Sequence, residues 1–141
     1  MSRTRLLCAV AVAAVAVAVP VASGTAARST TSVLPTQLVG SWTRNFTAAG
    51  WRKAGAPDFE FFTGPYTMVV LRSGKVTVAS FNVQFKTLSD SRLSIAGLTD
   101  CGSYSAGLYR WKVASRRLTI TKLKDSCPPD VGLFVGVWKR K

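Results

Sequence analysis

Apolar and polar side chains alternate with a period of two over most of the chain after position 38. Such alternation is typical of β-strands that bury one face, and residues that favour turns separate the runs. The predicted strands cover 38–47, 64–72, 75–80, 81–88, 92–96, 104–113, 118–123 and 132–139. The run at 81–88 is either an extension of the third strand or a strand of its own. About eight short strands of this kind predict an all-β protein, either a sandwich or an up-and-down barrel.

The longest connection between predicted strands, 48–63, has no clean period and has room for a short helix. It carries Trp51, Phe61 and Phe62. A long loop with its own aromatic side chains at the end of a barrel is suited to act as a lid, and Trp51 is the better lid candidate. The alternative for Phe61 and Phe62 is that they begin the second strand and enter the core.

The N-terminus has the layout of a cleavable secretory signal. Arg3 and Arg5 precede an apolar run at 6–19, and small residues follow Pro20. We predict a signal peptide over 1–27, a flexible leader over 28–37 and one domain over 38–141. The alternative is a membrane anchor, but the apolar run is shorter than the roughly 20 residues of a membrane helix. No second apolar segment is long enough to span a membrane, so no span is expected after signal removal. The protein is then extracellular or held in the cell envelope.

Cys101 and Cys127 remain after signal removal, because Cys8 lies within the signal. They flank the sixth and seventh predicted strands, so a disulfide between them would hold the open end of this hairpin together. An even cysteine count fits one disulfide in a secreted protein. The chain-entropy model gives such a closure about 3.5 kcal/mol of stability.

The chain is strongly basic, with 19 Lys and Arg, 6 Asp and Glu, and a formal charge of +13. Loss of Arg3 and Arg5 with the signal leaves +11. The charges are dispersed and no nucleic-acid recognition element is present, so we expect no specific nucleic-acid partner. The charge suits a solvated surface against an anionic cell envelope, or weak attraction of acidic polymers and ligands.

The residue types that most catalytic sites need are absent or isolated. The chain has no histidine, which excludes histidine metal clusters and histidine-dependent triads. Asp58 and Glu60 are close in sequence, but solvated carboxylates explain them better than an acid-base pair. We predict no catalytic residue, no metal, no cofactor and no enzyme activity.

The two ends of the predicted barrel carry a family resemblance. Gly40-Ser41-Trp42 opens the first strand, and Arg140 closes the last. Together with the pattern at 101–127, they resemble small secreted bacterial lipocalin-like, or calycin, proteins over 38–141. The resemblance implies an eight-stranded antiparallel up-and-down β-barrel in which Arg140 stacks across Trp42. With Gly40, these residues would close one end of the barrel.

Charge decides which face of the sixth strand points inward. Arg110 and Lys112 belong outside, so Tyr109 and Trp111 point into the barrel. An eight-stranded barrel is either filled by its side chains or wide enough for one small ligand. Tyr109 and Trp111 therefore line a cavity or fill it.

The sequence favours a secreted, monomeric, non-catalytic protein that binds a small apolar or amphipathic ligand. The ligand could also carry an acidic group, which the basic surface would attract. Its expected ligand-binding residues are Trp51, Phe61, Phe62, Tyr109 and Trp111. The alternative is a filled barrel that acts through its loops, as a hydrolase inhibitor or by binding anionic envelope polymers. A third class is a secreted isomerase or cyclase on a related barrel.

Overall fold

The structure, a computed structural model, describes residues 33–97 and 106–141. Eight antiparallel strands close into an up-and-down barrel in which each strand pairs with the next and the last pairs with the first. The strands are β1 (Gly40–Phe46), β2 (Gly64–Val70), β3 (Lys75–Val78), β4 (Phe81–Ser89), β5 (Arg92–Ala96), β6 (Gly107–Ala114), β7 (Arg117–Lys124) and β8 (Gly136–Arg140). This confirms the predicted all-β barrel, and it is compatible with a lipocalin-like fold.

Among these described residues, two short helices, α1 (Ala48–Ala54) and α2 (Pro128–Phe134), interrupt the strand pattern. A 3-10 turn, Pro57–Phe59, follows α1. The strand predicted at 132–139 is wrong in its first half, because the chain there forms the end of α2. Proline at the first helical positions has a backbone angle already suited to a helix, so Pro128 and Pro129 favour this start.

The run at 81–88 is a strand of its own. Ala79 adopts a left-handed φ of +52°, and the chain reverses there so that Val78 pairs with Phe81. In an up-and-down barrel the odd-numbered connections lie at one end, which we call the rim end, and the even-numbered ones lie at the closed end. Both α1 and α2 are therefore at the rim end.

The centre of the barrel is filled by side chains from all eight strands. A side chain that borders a cavity large enough for water keeps some accessible surface. A set of interior side chains, one from each strand, has an accessible surface of 0%, so it borders no such cavity. The set comprises Trp42, Met68, Val76, Phe85, Ile95, Tyr109, Leu118 and Trp138. Trp51 of α1 and Leu133 and Phe134 of α2 extend this core to the rim end.

The described chain packs onto the barrel before its first strand. Leu34 and Leu38 are buried, and the Leu34 amide donates to the Arg72 carbonyl at 3.0 Å. The predicted signal, the start of the leader and Cys101 lie outside the described residues. No helix among residues 33–97 and 106–141 is long and apolar enough to cross a bilayer.

Candidate functional site

The closed end is sealed by Arg140 and Trp42. The Arg140 guanidinium lies 4.9 Å from the Trp42 ring centroid, and its Nη2 donates to the Val39 carbonyl at 2.9 Å. Gly40 has a φ of +133°, and a Cβ there would lie 2.9 Å from Arg140 Nη2. Glycine is therefore favoured by the backbone angle, and a larger residue would also push the Arg140 guanidinium away. The Trp42 indole donates to the Leu38 carbonyl at 2.9 Å, so this end has a structural role.

At the rim end, Trp51 is packed as a plug. Its side chain is 2% exposed and stacks on Phe46, with 5.3 Å between ring centroids and 13° between the ring planes. Its indole N–H donates to the Phe62 carbonyl at 2.6 Å. Gly132 of α2 also lies against the indole, and a Cβ there would overlap the ring. In this conformation Trp51 belongs to the core of the rim end.

The neighbouring Phe61 is a surface residue. It is 73% exposed, and its ring centroid lies 4.3 Å from that of the half-buried Phe62. Both precede β2, which begins at Gly64, so the alternative that Phe61 enters the core is wrong. The crevice between Trp51, Phe62 and Phe81 has no room for a water molecule.

Tyr109 and Trp111 lie inside the barrel, as the alternation of β6 predicts. The Tyr109 hydroxyl donates to the Asp125 carboxylate, which also accepts the Cys127 amide at 2.7 Å. Burial raises the pKa of Tyr109, and the hydrogen bond to Asp125 and the charges of Asp125 and Asp130 raise it further. The Trp111 indole N–H is buried and has no acceptor among the described residues.

The five residues predicted to bind a ligand do not form one site. Trp51 and Phe62 meet in the rim core, Phe61 lies outside it, and Tyr109 and Trp111 belong to the barrel interior. Among the described residues, no group of three or more histidine, cysteine or acidic side chains is arranged to hold a metal ion.

The pairing of strands assembles a basic surface that sequence reasoning missed. Arg92 of β5 lies directly opposite Arg110 of β6, and Arg117 of β7 lies opposite Lys139 of β8. None of these four strands contains an acidic residue. We call the following set of exposed side chains the basic face: Arg92, Arg110, Lys112, Arg117, Lys124 and Lys139.

The basic face has no ion-pair partners within the described part of the chain. The ion pair found there, Arg52 with Glu60 at 2.7 Å, lies on the rim connection. Like charges directly opposite each other destabilise a sheet. The sequence does place Arg110 and Lys112 on one outer face, but only the register shows that Arg92 is the neighbour of Arg110.

No protein-family model, curated protein or solved structure matches this chain.

Proposed function

We propose that the protein is a secreted, non-catalytic binding protein for an anionic polymer of the cell envelope, and that the basic face is its binding surface. The observation that carries the proposal is the cross-strand pairing of Arg92 with Arg110 and of Arg117 with Lys139. Each pair of this kind costs the sheet roughly 0.2–1 kcal/mol. A polyanion on this surface supplies the counter-charges that the strands themselves lack.

The filled barrel supports a function on the outer surface. Interior side chains such as Met68, Phe85 and Ile95 have 0% accessible surface, so the part of the interior that these described residues line holds no water-sized space. Neighbouring strands are about 4.8 Å apart, so Arg92 lies close to Arg110 and Arg117 lies close to Lys139. A polymer with repeated phosphate or carboxylate groups meets several of them at once, which raises its affinity over that of a single anion.

Calorimetric titration with a short linear polyphosphate tests the proposal. We expect the wild-type protein to bind, with an affinity that falls as salt concentration rises, because exposed charges are screened. The double variant Arg92→Gln/Arg110→Gln should bind at least 10-fold more weakly, which is about 1.4 kcal/mol. The matched control Arg72→Gln/Lys75→Gln removes the same charge near the β2–β3 turn and should change affinity less than threefold. Equal losses in the two variants would contradict a defined binding surface.

The proposal includes export and one disulfide between Cys101 and Cys127. Its support is the even cysteine count after loss of 1–27, together with the position of Cys127, buried directly before α2. Thiol labelling of denatured, unreduced protein from the culture medium should find no free thiol. Full labelling of both cysteines would refute the disulfide.

A second candidate function is carriage of a small apolar or amphipathic molecule inside the barrel. The observation in its favour is the buried Trp111 indole N–H without an acceptor in the described chain. A buried donor without an acceptor costs about 1–3 kcal/mol, which a ligand oxygen would offset. Carriage predicts that a neutral apolar dye such as N-phenylnaphthylamine binds the wild-type protein one to one. Failure of the dye to bind would leave the outer-surface proposal as the better account.

A further inference from the structure

Arg44 places a positive charge on the inward face of β1, between Trp42 and Phe46. Its guanidinium carbon lies 4.8 Å from the Phe46 ring centroid and 5.8 Å from that of Trp138. The side chain is half-buried, and no carboxylate pairs with it in the described part of the chain. A cation in such surroundings is usually paired.

Within the described residues, Arg44 forms hydrogen bonds through one nitrogen, Nη1. Nη1 donates to the carbonyls of Gly132 and Leu133, at 3.3 and 3.4 Å, at the C-terminal end of α2. Nε and Nη2 have no acceptor among residues 33–97 and 106–141. Burial removes water from the guanidinium and lowers the pKa of Arg44 from its usual value, while leaving it a cation at neutral pH.

The barrel seam beside Arg44 is open to solvent. β1 and β8 pair only through Trp42 with Arg140 and Thr43 with Lys139, although both strands continue toward the rim end. A cleft of about 280 Å³ enters at this point. Its lining consists of Thr43, Arg44, Asn45, Pro65, Val137 and Lys139. The cleft therefore gives solvent access to a side chain that belongs to the inward face.

We propose that this cleft, the seam site, binds a small oxyanion through Arg44 and Lys139. The fixed fork of a guanidinium matches the two oxygens of a carboxylate or phosphate group. Lys139 adds a second positive charge, and the cleft lining contains no acidic residue to compete. Pro65 and the exposed Val137 provide apolar walls for the body of the ligand. The seam site shares Lys139 with the basic face, but Arg44, its central group, is not part of that face, so the two proposals can be tested separately.

Side-chain ¹⁵N spectra of labelled full-length mature protein test the seam site, with benzoate and inorganic phosphate as separate probes. We expect a saturable shift of the Arg44 Nε signal with at least one probe, and a dissociation constant at least fivefold lower than that for any shift at the exposed Arg72. The tighter probe identifies the site as one for a carboxylate or for a phosphate group. Absence of a saturable shift at Arg44 with both probes would overturn the proposal.

Because Arg44 also holds the end of α2, its own replacement risks the fold, and Lys139 provides the safer variant. Lys139→Gln should weaken probe binding at least threefold, whereas the matched variant Lys112→Gln should leave it within twofold. Arg92→Gln/Arg110→Gln, which should weaken polymer binding, is also expected to leave the Arg44 shift within twofold. Equal weakening by Lys139→Gln and Lys112→Gln would show a general charge effect and overturn the site.

Discussion

The indole ring of Trp51 lies nearly parallel to the ring of Phe46, with 5.3 Å between their centroids. Phe46 is the last residue of β1, and Trp51 lies on the helix that follows it. This stack joins the long rim connection to the barrel core. With Gly132 of α2 also against Trp51, described side chains pack this part of the rim end, much as Trp42 and Arg140 pack at the opposite end.

Substitution of Gly132 tests this closure. A Cβ at Gly132 would overlap the Trp51 ring, so Gly132→Ala should destabilise the protein by about 1–3 kcal/mol, as overpacking does. Chemical denaturation measures the change. In a Trp51→Leu background the same substitution should cost much less, because the clashing ring is absent. Equal costs in both backgrounds would show that Trp51 and Gly132 are not packed together.

Trp42 should be the most sensitive position of the closed end. It is fully buried, its indole N–H is bonded to Leu38, and Arg140 lies across its ring. We expect Trp42→Ala to lower the free energy of unfolding by about 3–5 kcal/mol, the usual cost of removing a buried aromatic side chain. If the variant melts within a degree or two of the wild type, Trp42 is not the residue that stabilises this end of the barrel.

The like-charged pairs of the basic face should limit stability. Arg110 lies opposite Arg92, whereas Lys112 lies opposite Thr119. Arg110→Gln should therefore stabilise the protein by about 0.2–1 kcal/mol at low salt, and the gain should shrink as salt screens the repulsion. Lys112→Gln is the matched control and should gain less. The proposal of a binding surface held at the expense of stability fails if Arg110→Gln destabilises the fold at low salt.

Tyr109 should give stability a pH dependence in the alkaline range. Its pKa is raised in the folded protein by burial and by Asp125, whereas in the unfolded chain it is about 10. The folded state therefore favours the protonated phenol, and this contribution is complete below about pH 10 and is lost as the pH rises further. Wild-type stability should fall more steeply above pH 10 than that of Tyr109→Phe. Parallel pH profiles for the two proteins would contradict the buried hydrogen bond.

Alternation alone predicted the strands, because burial of one face leaves a period-two pattern even in short runs such as β3 and β5. It could not predict α2, since the sequence at 132–139 also alternates and the prolines that start the helix lie before it. The meeting of Trp42 with Arg140 was predictable, because an up-and-down barrel returns its last strand to its first. The inward position of Trp111 followed equally from the charges beside it.

Cross-strand neighbours and the seam site could not be predicted in the same way. Register depends on turns and bulges, and the irregularity near Leu108 makes Lys124, rather than Leu123, the partner of that residue. The seam site depends on the point at which the pairing of β1 with β8 ends, and the sequence of neither strand shows that point. Alternation does place Arg44 on the inward face. The residues next to Arg44 in the sequence do not show that the cleft exposes its side chain to solvent.

The most direct test of the account is a backbone amide NMR map of the protein during titration with polyphosphate. If the basic face binds the polyanion, the largest shifts should fall on β5 to β8, above all at Arg92, Arg110 and Lys112. The signals of the interior residues Phe85 and Ile95 should change little. Shifts centred on the rim connection at 48–63, or on the barrel interior, would contradict a function carried by the basic face.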